Sequence, residues 1–259
     1  MAEEEKIREH AKYALQALTD KKRGWKEKLK DFLWEILIII IAVNITLWFH
    51  SWSEKRNDRE LEKNFLVGIR NDLDIVFHNL RIDSMTYQPK LVYYDSICTQ
   101  IDEHRIDKKY VDANRTNNLL GEQNFSYDNS RFENFKSSGF LRLIKSDSLS
   151  MNIASLYTIY FPMIKTMDEY ARVNGQDLVD YIGTKAVDSS GNMIVSELLN
   201  APEAKFKIKN RKDLLQERQT VKRYVKQNVE QVISQIDREL KTRFKYEVKS
   251  KEEIKNASR

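Results

Sequence analysis

Histidine, cysteine and paired carboxylates are the side chains that most often bind metals or transfer protons. The four histidines of this 259-residue chain are scattered, without the short spacings of a metal site: His10, His50, His78 and His104. Cys98 is the only cysteine, which excludes an internal disulfide and a cysteine-based zinc site. We expect Cys98 to be a small buried residue on a helix rather than a reactive thiol.

Motifs that bind phosphates or activate nucleophiles are also missing from the sequence. It has no glycine-rich phosphate loop, no nucleophile elbow and no paired-carboxylate pattern above background. The chain is therefore predicted not to be an enzyme, and to bind no cofactor and no metal.

One long apolar stretch dominates the N-terminal part, residues 32–52, FLWEILIIIIAVNITLWFHSW. A helix of this stretch would be roughly 31 Å long, enough to cross a hydrocarbon core of about 30 Å. Every side chain from residue 36 to 43 is apolar, so the helix would have no polar side. We predict a single transmembrane helix; the alternative is an interfacial or protein-buried hairpin helix.

Aromatic and polar residues mark the two ends of this predicted span. Trp34 lies near one end, and Trp48 and Trp52 lie at the other, as is typical of membrane interfaces. Glu35 is about one turn in, close enough for its carboxylate to reach the headgroups. Inside the span are Asn44 and Thr46, which could bond either to a second copy of the helix or within their own helix.

The charges that flank the span predict its orientation. Residues 12–31 carry 7 lysines and arginines, and residues 53–72 carry 5. This bias places the N-terminus in the cytoplasm and the larger part outside. The apolar run starts late and lacks a small-residue cleavage pattern, so we expect an uncleaved anchor rather than a signal peptide.

Composition indicates the fold class. Glycine and proline number only 7 and 3, and 32% of the residues are charged, which favours few, long helices. We predict an all-α protein whose single N-terminal transmembrane helix continues into an extramembrane helical bundle. The expected parts are a basic, amphipathic N-terminal segment at 1–31, the span at 32–52, the bundle at 53–250 and a tail at 251–259.

Apolar spacing predicts the helices of the bundle. A stripe after the span indicates a helix that Gly68 could interrupt and that Pro89 kinks or ends, with a helical pattern continuing to about His104. Residues 105–129 are polar and without a period, so we expect a loop, with at most a turn of helix around Leu119. The stripe residues are Leu61, Phe65, Ile69, Leu73, Val76, Phe77 and Leu80.

Capping signals follow this loop. Ser130 and Glu133 have the spacing of a capping box, and Gly139 is placed to end that short helix with a positive φ. We interpret this turn as structural, because it directs a compact apolar cluster at residues 140–144 towards the core. Ser146 should cap the next helix, which Pro162 should kink. Its aromatic residues are predicted to be core: Tyr157, Tyr160, Phe161 and Tyr170.

A long basic helix is predicted at the C-terminal end, beginning near Asn210. Residues 205–259 carry a net charge of +9, whereas residues 53–204 carry −5. We therefore expect this helix to lie against an acidic neighbour or an anionic surface. No nucleic-acid-binding motif is present, so nucleic acid is not predicted as a partner.

Three segments together resemble a known family: WEILIIIIAVNITLWFHSW, EKRNDRELEKNFLVGIRNDL and FKSSGFLRLIKSDSLSMNIASLY. The chain is similar there, over about residues 30–80 and 130–160, to an uncharacterised family of single-pass membrane proteins of Bacteroidota, a domain of unknown function. That family often has glycine in the apolar run, where this chain has Ile41 and Ala42. The resemblance implies a one-pass inner-membrane protein of the cell envelope, and no reaction, cofactor or catalytic residue.

The function favoured by these observations is a non-enzymatic scaffold or interaction protein of the cell envelope. Its expected partners are the lipid bilayer and either further copies of itself, through the span and a coiled-coil extension, or other envelope proteins. The alternative is an extracytoplasmic ligand-sensing domain that signals through a separate partner. A polar pocket between helices would favour the sensor, whereas an uncovered apolar stripe would favour the scaffold.

Overall fold

The structure is a computed structural model that describes residue 12 and residues 25–119, 124–192 and 194–246. These residues form helices and no strand, which confirms the all-α class. Residues 1–11 and 13–24 of the predicted N-terminal segment and the tail at 251–259 lie outside the described residues. The helices are α1 (Trp25–Asp102), α2 (Lys108–Leu119), α3 (Ser130–Ser137), a 3₁₀ turn (Phe140–Leu143), α4 (Asp147–Ser155), a π turn (Leu156–Tyr160), α5 (Phe161–Lys185), α6 (Val195–Leu198) and α7 (Pro202–Phe244).

The chain divides into two compact units, Met1–Glu60 and Leu61–Arg259. Within the first unit, the described helix is apolar on all sides and its large side chains are exposed, including Ile38, Ile40 and Val43. It is long and apolar enough to cross a membrane. The second unit is a helical bundle.

Helix α1 continues through both residues that were expected to disturb it. Pro89 lies inside the helix, so the prediction of a boundary there is wrong. The carbonyl that proline cannot bond belongs to Met85, and both residues are exposed, so water can satisfy it. Gly68 is buried because the guanidinium of Arg131 crosses it; an added Cβ would lie 2.5 Å from that group.

The bundle has two apolar cores, arranged one after the other along α1, α5 and α7. The first is built around Ile69, Leu156 and Val229, and the second around Ile97, Ile182 and Ile208. Cys98 is buried in the second core, as expected, and burial raises the pKa of its thiol. A layer of charged residues separates the two cores.

A π turn joins α4 to α5 at the point where Pro162 interrupts the ordinary hydrogen bonding. The N–H of Phe161 donates to the carbonyl of Leu156, five residues back. Tyr157 and Phe161 are core residues, as predicted. Tyr170 is 67% exposed, so its assignment to the core is wrong.

The prediction of a loop over residues 105–129 is wrong, because α2 fills much of it. The Asp107 carboxylate accepts a hydrogen bond from the N–H of Tyr110 at 3.0 Å, which caps the new helix. Val111 is fully buried, and its carbonyl accepts from the hydroxyl of Tyr93 at 3.1 Å. The sequence of this segment shows no apolar stripe that would have predicted the helix.

The short helix at residue 130 forms, but not through the predicted capping box. Asn129 is its N-cap and makes no side-chain hydrogen bond, and Ser130 is the first helical residue. The carboxylate of Asp128 accepts from the N–H of Ser130 at 2.8 Å instead, and Glu133 contacts Lys136 at 3.5 Å. The predicted positive φ of Gly139 is confirmed, at 70°.

The next cap and the final helix complete the bundle. Ser146 caps α4 as predicted, accepting from the N–H of Leu149 at 3.3 Å. Helix α7 begins at Pro202, earlier than expected, because proline suits the first helical position.

Helix α7 lies antiparallel to α1 along a series of ion pairs, which confirms the predicted acidic neighbour. Successive pairs have lower residue numbers on α1 and higher residue numbers on α7, so together they fix one antiparallel register. The bonded atoms are 2.5–3.2 Å apart: Asp102–Lys209, Asp95–Lys212, Asp83–Lys222, Arg70–Asp237 and Glu62–Arg243.

Candidate functional site

The charged layer between the two cores is centred on Asp168 of α5, which is 3% exposed. Its carboxylate accepts from Arg218 Nε at 2.6 Å and lies 2.9 Å from Lys222 Nζ. A third donor is the backbone N–H of Phe125, at 2.6 Å. Both carboxylate oxygens of Asp168 are thus bonded by α7 or by the segment before α3.

Helix α1 completes the layer with Asp83 and Tyr87. Asp83 accepts from Lys222 Nζ at 3.0 Å and lies 3.6 Å from an Arg218 nitrogen. The Arg218 guanidinium stacks on the ring of Tyr87, 3.8 Å from its centre. Burial lowers the pKa of Arg218, but the hydrogen bond to Asp168 and the nearby charges outweigh it, so that pKa is raised overall.

This arrangement supports a structural role rather than proton transfer. A general acid or base needs a site at which it can reach a substrate proton, whereas Asp168 is enclosed by its own donors. Similar carboxylates hold other connecting segments: Glu62 accepts from the N–H of Lys145 at 3.1 Å, and Asp112 from the N–H of Ser196 at 3.1 Å. Glu62 thus ties the segment before α4 to α1, and Asp112 ties α6 to α2.

A polar cleft of about 250 Å³ opens beside the charged layer. Its volume is slightly below the usual range of about 300–1,000 Å³ for small-molecule sites. Charged and neutral polar groups share its wall with apolar side chains: Asn79, Asp83, Asn124, Ser126 and Lys222, with Leu80, Ile82 and Phe125.

The side of α1 that faces away from the two cores carries a surface that we call the uncharged face, and it shares Asn79 and Ile82 with the cleft. Its members are all exposed and none is Asp, Glu, Lys or Arg, although 32% of the chain is charged. Depletion of charge with exposed aliphatic and Met side chains is typical of the core of a protein interface. The face consists of Asn71, Ile75, His78, Asn79, Ile82, Met85, Thr86, Pro89 and Val92.

The predicted interface residues lie on the part of α1 in the first unit. Trp34, Trp48 and Trp52 are 51–63% exposed, and Glu35 is partly exposed. For Asn44 and Thr46, the sequence left open whether they bond to a second copy of the helix or within their own helix. Here the Asn44 amide donates to the carbonyl of Ile40 at 2.7 Å and Thr46 to that of Ala42 at 2.9 Å, within their own helix.

The remaining candidate residues do not converge. His50, His78 and His104 are separate and exposed, and His10 lies outside the described residues. Over the described ranges, no three His, Cys, Asp or Glu side chains are grouped as a metal site would require. The turn residues Ser130, Glu133 and Gly139 lie beside the first core and not at the cleft.

Comparison with known protein families, with curated proteins and with solved structures finds no match.

Sequence reasoning missed both the charged layer and the uncharged face. The residues of the layer come from α1, α5, α7 and residue 125, so no local spacing in the sequence predicts it. The uncharged face did have a signal: Ile75, Ile82, Met85 and Val92 recur at helical spacing beside the buried stripe of the same helix.

Proposed function

We propose that the chain is a single-pass membrane protein whose helical bundle works as a non-enzymatic scaffold or interaction module. The observation that carries this proposal is the uncharged face of α1. Exposed apolar surface without charge is costly to leave in water and marks protein interaction sites. Ile75, Met85 and Val92 are 55%, 69% and 55% exposed there.

The bilayer is the proposed partner of the first unit. Its apolar window has a mean hydropathy of 2.2 and none of it is buried by the protein, which a core helix would require. The tryptophans at both ends and the back-bonded Asn44 and Thr46 suit a lipid environment, where polar groups must be satisfied internally.

The orientation proposed is N-terminus in the cytoplasm and bundle in the periplasm, with the inner membrane as location. The charge bias of 7 to 5 across the span and the resemblance to a single-pass family of Bacteroidota support it. A C-terminal alkaline phosphatase fusion should be active and a fluorescent-protein fusion dark. The reverse pattern would reject this orientation.

Nucleic acid is not a proposed partner, although α7 is basic. Its Lys209, Lys212 and Arg218 already pair with carboxylates of α1 or α5. Those charges are therefore already partly compensated within the chain.

Affinity purification of the full chain from membranes in mild detergent tests the interaction function. The wild type should co-purify with a stoichiometric protein, either another copy or a different protein. Ile82→Glu, which puts a charge on the uncharged face, should lose it, whereas Ser84→Glu, at an exposed position off this face, should keep it. A wild-type chain that purifies alone as a monomer would contradict the proposal.

The cleft supports a second candidate, a ligand-sensing bundle. Asp83 and Lys222 place opposite charges on its wall, next to the neutral amides of Asn79 and Asn124. A small polar molecule that binds there should raise the melting temperature of the wild-type chain, and raise it less in Asn79→Ala. If no compound in a panel of sugars, amino acids and amines does so, the sensor candidate loses its support.

A further inference from the structure

The uncharged face has the spacing of a coiled-coil seam. Its central residues alternate at steps of three and four, which is the heptad pattern of a and d positions. Ile75, Ile82 and Pro89 fall at a, and His78, Met85 and Val92 fall at d. Beta-branched residues at a positions favour two parallel strands.

We propose that this face packs against the same face of a second copy, as a short parallel two-stranded coiled coil. The inference rests on the proposed membrane anchoring and names the partner of the interaction surface. Two chains anchored in one membrane share one orientation, which suits a parallel pair. Each residue of the seam then faces its own counterpart.

Charge complementarity favours a second copy as the occupant. In a parallel in-register pair, each seam residue faces its own counterpart, so a charge at a seam position would face a like charge. The uncharged face can contact itself without such a pair. Thr86 adds no unsatisfied group, because its hydroxyl donates to the carbonyl of Ile82 at 3.0 Å.

The size of the seam indicates that it depends on the anchor. Residues 75–92 span roughly 27 Å of helix, and a strip of that length and one helix diameter wide covers roughly 300 Å² per copy. Stable soluble complexes bury about 800 Å² per partner. Confinement of both copies to one membrane raises their effective concentration and compensates for the small contact.

Disulfide formation in native membranes tests the proposal on the full chain. Cys98 is first replaced by Ala, and single cysteines are then introduced by Ile82→Cys and Met85→Cys on the seam. Ser84→Cys and Gln88→Cys are matched controls at exposed positions off the uncharged face. The seam variants should form dimers roughly tenfold faster than the controls, since a disulfide needs Cα atoms within about 7 Å.

A second pair of variants tests whether dimers form through the uncharged face rather than through random collisions in the membrane. Ile82→Glu, combined with Met85→Cys, should slow dimer formation roughly tenfold, because a like-charged pair at the seam is destabilising. Ser84→Glu with Met85→Cys should not. Equal rates at all four cysteine positions, or dimers that Ile82→Glu leaves unchanged, would overturn the proposal.

A photo-crosslinking residue at position 82 distinguishes two outcomes: that the partner is not a second copy, and that the chain has no protein partner at all. A crosslink to the same chain supports the second copy. A crosslink to a different protein overturns the second copy and leaves the interaction function standing. No crosslink to any protein overturns both.

Discussion

The two faces of α1 within the bundle differ in what their side chains do. On the inner face, Leu66, Ile69 and Leu73 are fully buried and Asp83 joins the charged layer. On the uncharged face, Ile75, Ile82 and Met85 have much the same chemistry as the inner apolar residues but are exposed. The inner face of the helix thus serves folding, and the uncharged face is the one that we propose for association.

The charged layer packed against the inner face should give the largest effect on stability. Asp168→Ala leaves Arg218 and Lys222 buried with a single remaining carboxylate, Asp83. Removing one partner of a buried ion pair costs roughly 3–5 kcal/mol. Denaturant unfolding of the full chain in mild detergent, followed by circular dichroism, measures it. A loss below about 1 kcal/mol, the range of surface pairs, would show that water reaches the layer.

A pair of neighbouring apolar substitutions tests the two faces directly. Leu73→Ala empties part of the first core and should lower the free energy of unfolding by roughly 2–5 kcal/mol. Ile75→Ala, two residues on, should change it by less than about 0.5 kcal/mol at low protein concentration, because residue 75 is at the surface. Equal losses would mean that residue 75 is buried within the monomer, and the distinction between the faces would fail.

The exposed end of the α1–α7 series should give the smallest effect, and one that depends on pH. A hydrogen bond from Lys209 lowers the pKa of Asp102 below 3.8, so the folded state binds this proton less readily than the unfolded state does. The stabilisation that the ionised Asp102 gives to the fold is therefore fully present above its ordinary pKa of 3.8. It is lost as the pH falls through the lowered pKa of the folded state. Asp102→Asn should be slightly less stable than the wild type at pH 7, and the difference should vanish in strong acid. A difference that persists unchanged in acid would contradict the ion-pair explanation.

The inner face of α1 could be predicted from sequence because burial there follows the 3.6-residue period. Phe65, Ile69, Leu73 and Leu80 repeat at spacings of four and seven, and all are buried. Helix α2 could not be predicted in this way, since Val111, which is fully buried, stands alone in a polar sequence.

The charged layer could not be predicted because its partners are far apart in the chain. Asp168 meets Arg218 and Lys222 only when α5 and α7 pack, and it meets Phe125 only when the segment before α3 docks. Read locally, Lys222 is one more cation of a basic helix. Its 3% exposure follows from the antiparallel register of α7 against α1.

Oxidation of two methionines in native membranes tests the central claim most directly, because it needs no substitution. Met85, on the uncharged face, and Met151, on α4, are each 69% exposed in the single chain. Peroxide converts exposed Met to the sulfoxide, and mass spectrometry of the digested protein follows both rates. If the uncharged face is covered by another protein, Met85 should be oxidised several-fold more slowly than Met151. Equal rates would show that the face is open to water and would contradict its role as the interaction surface.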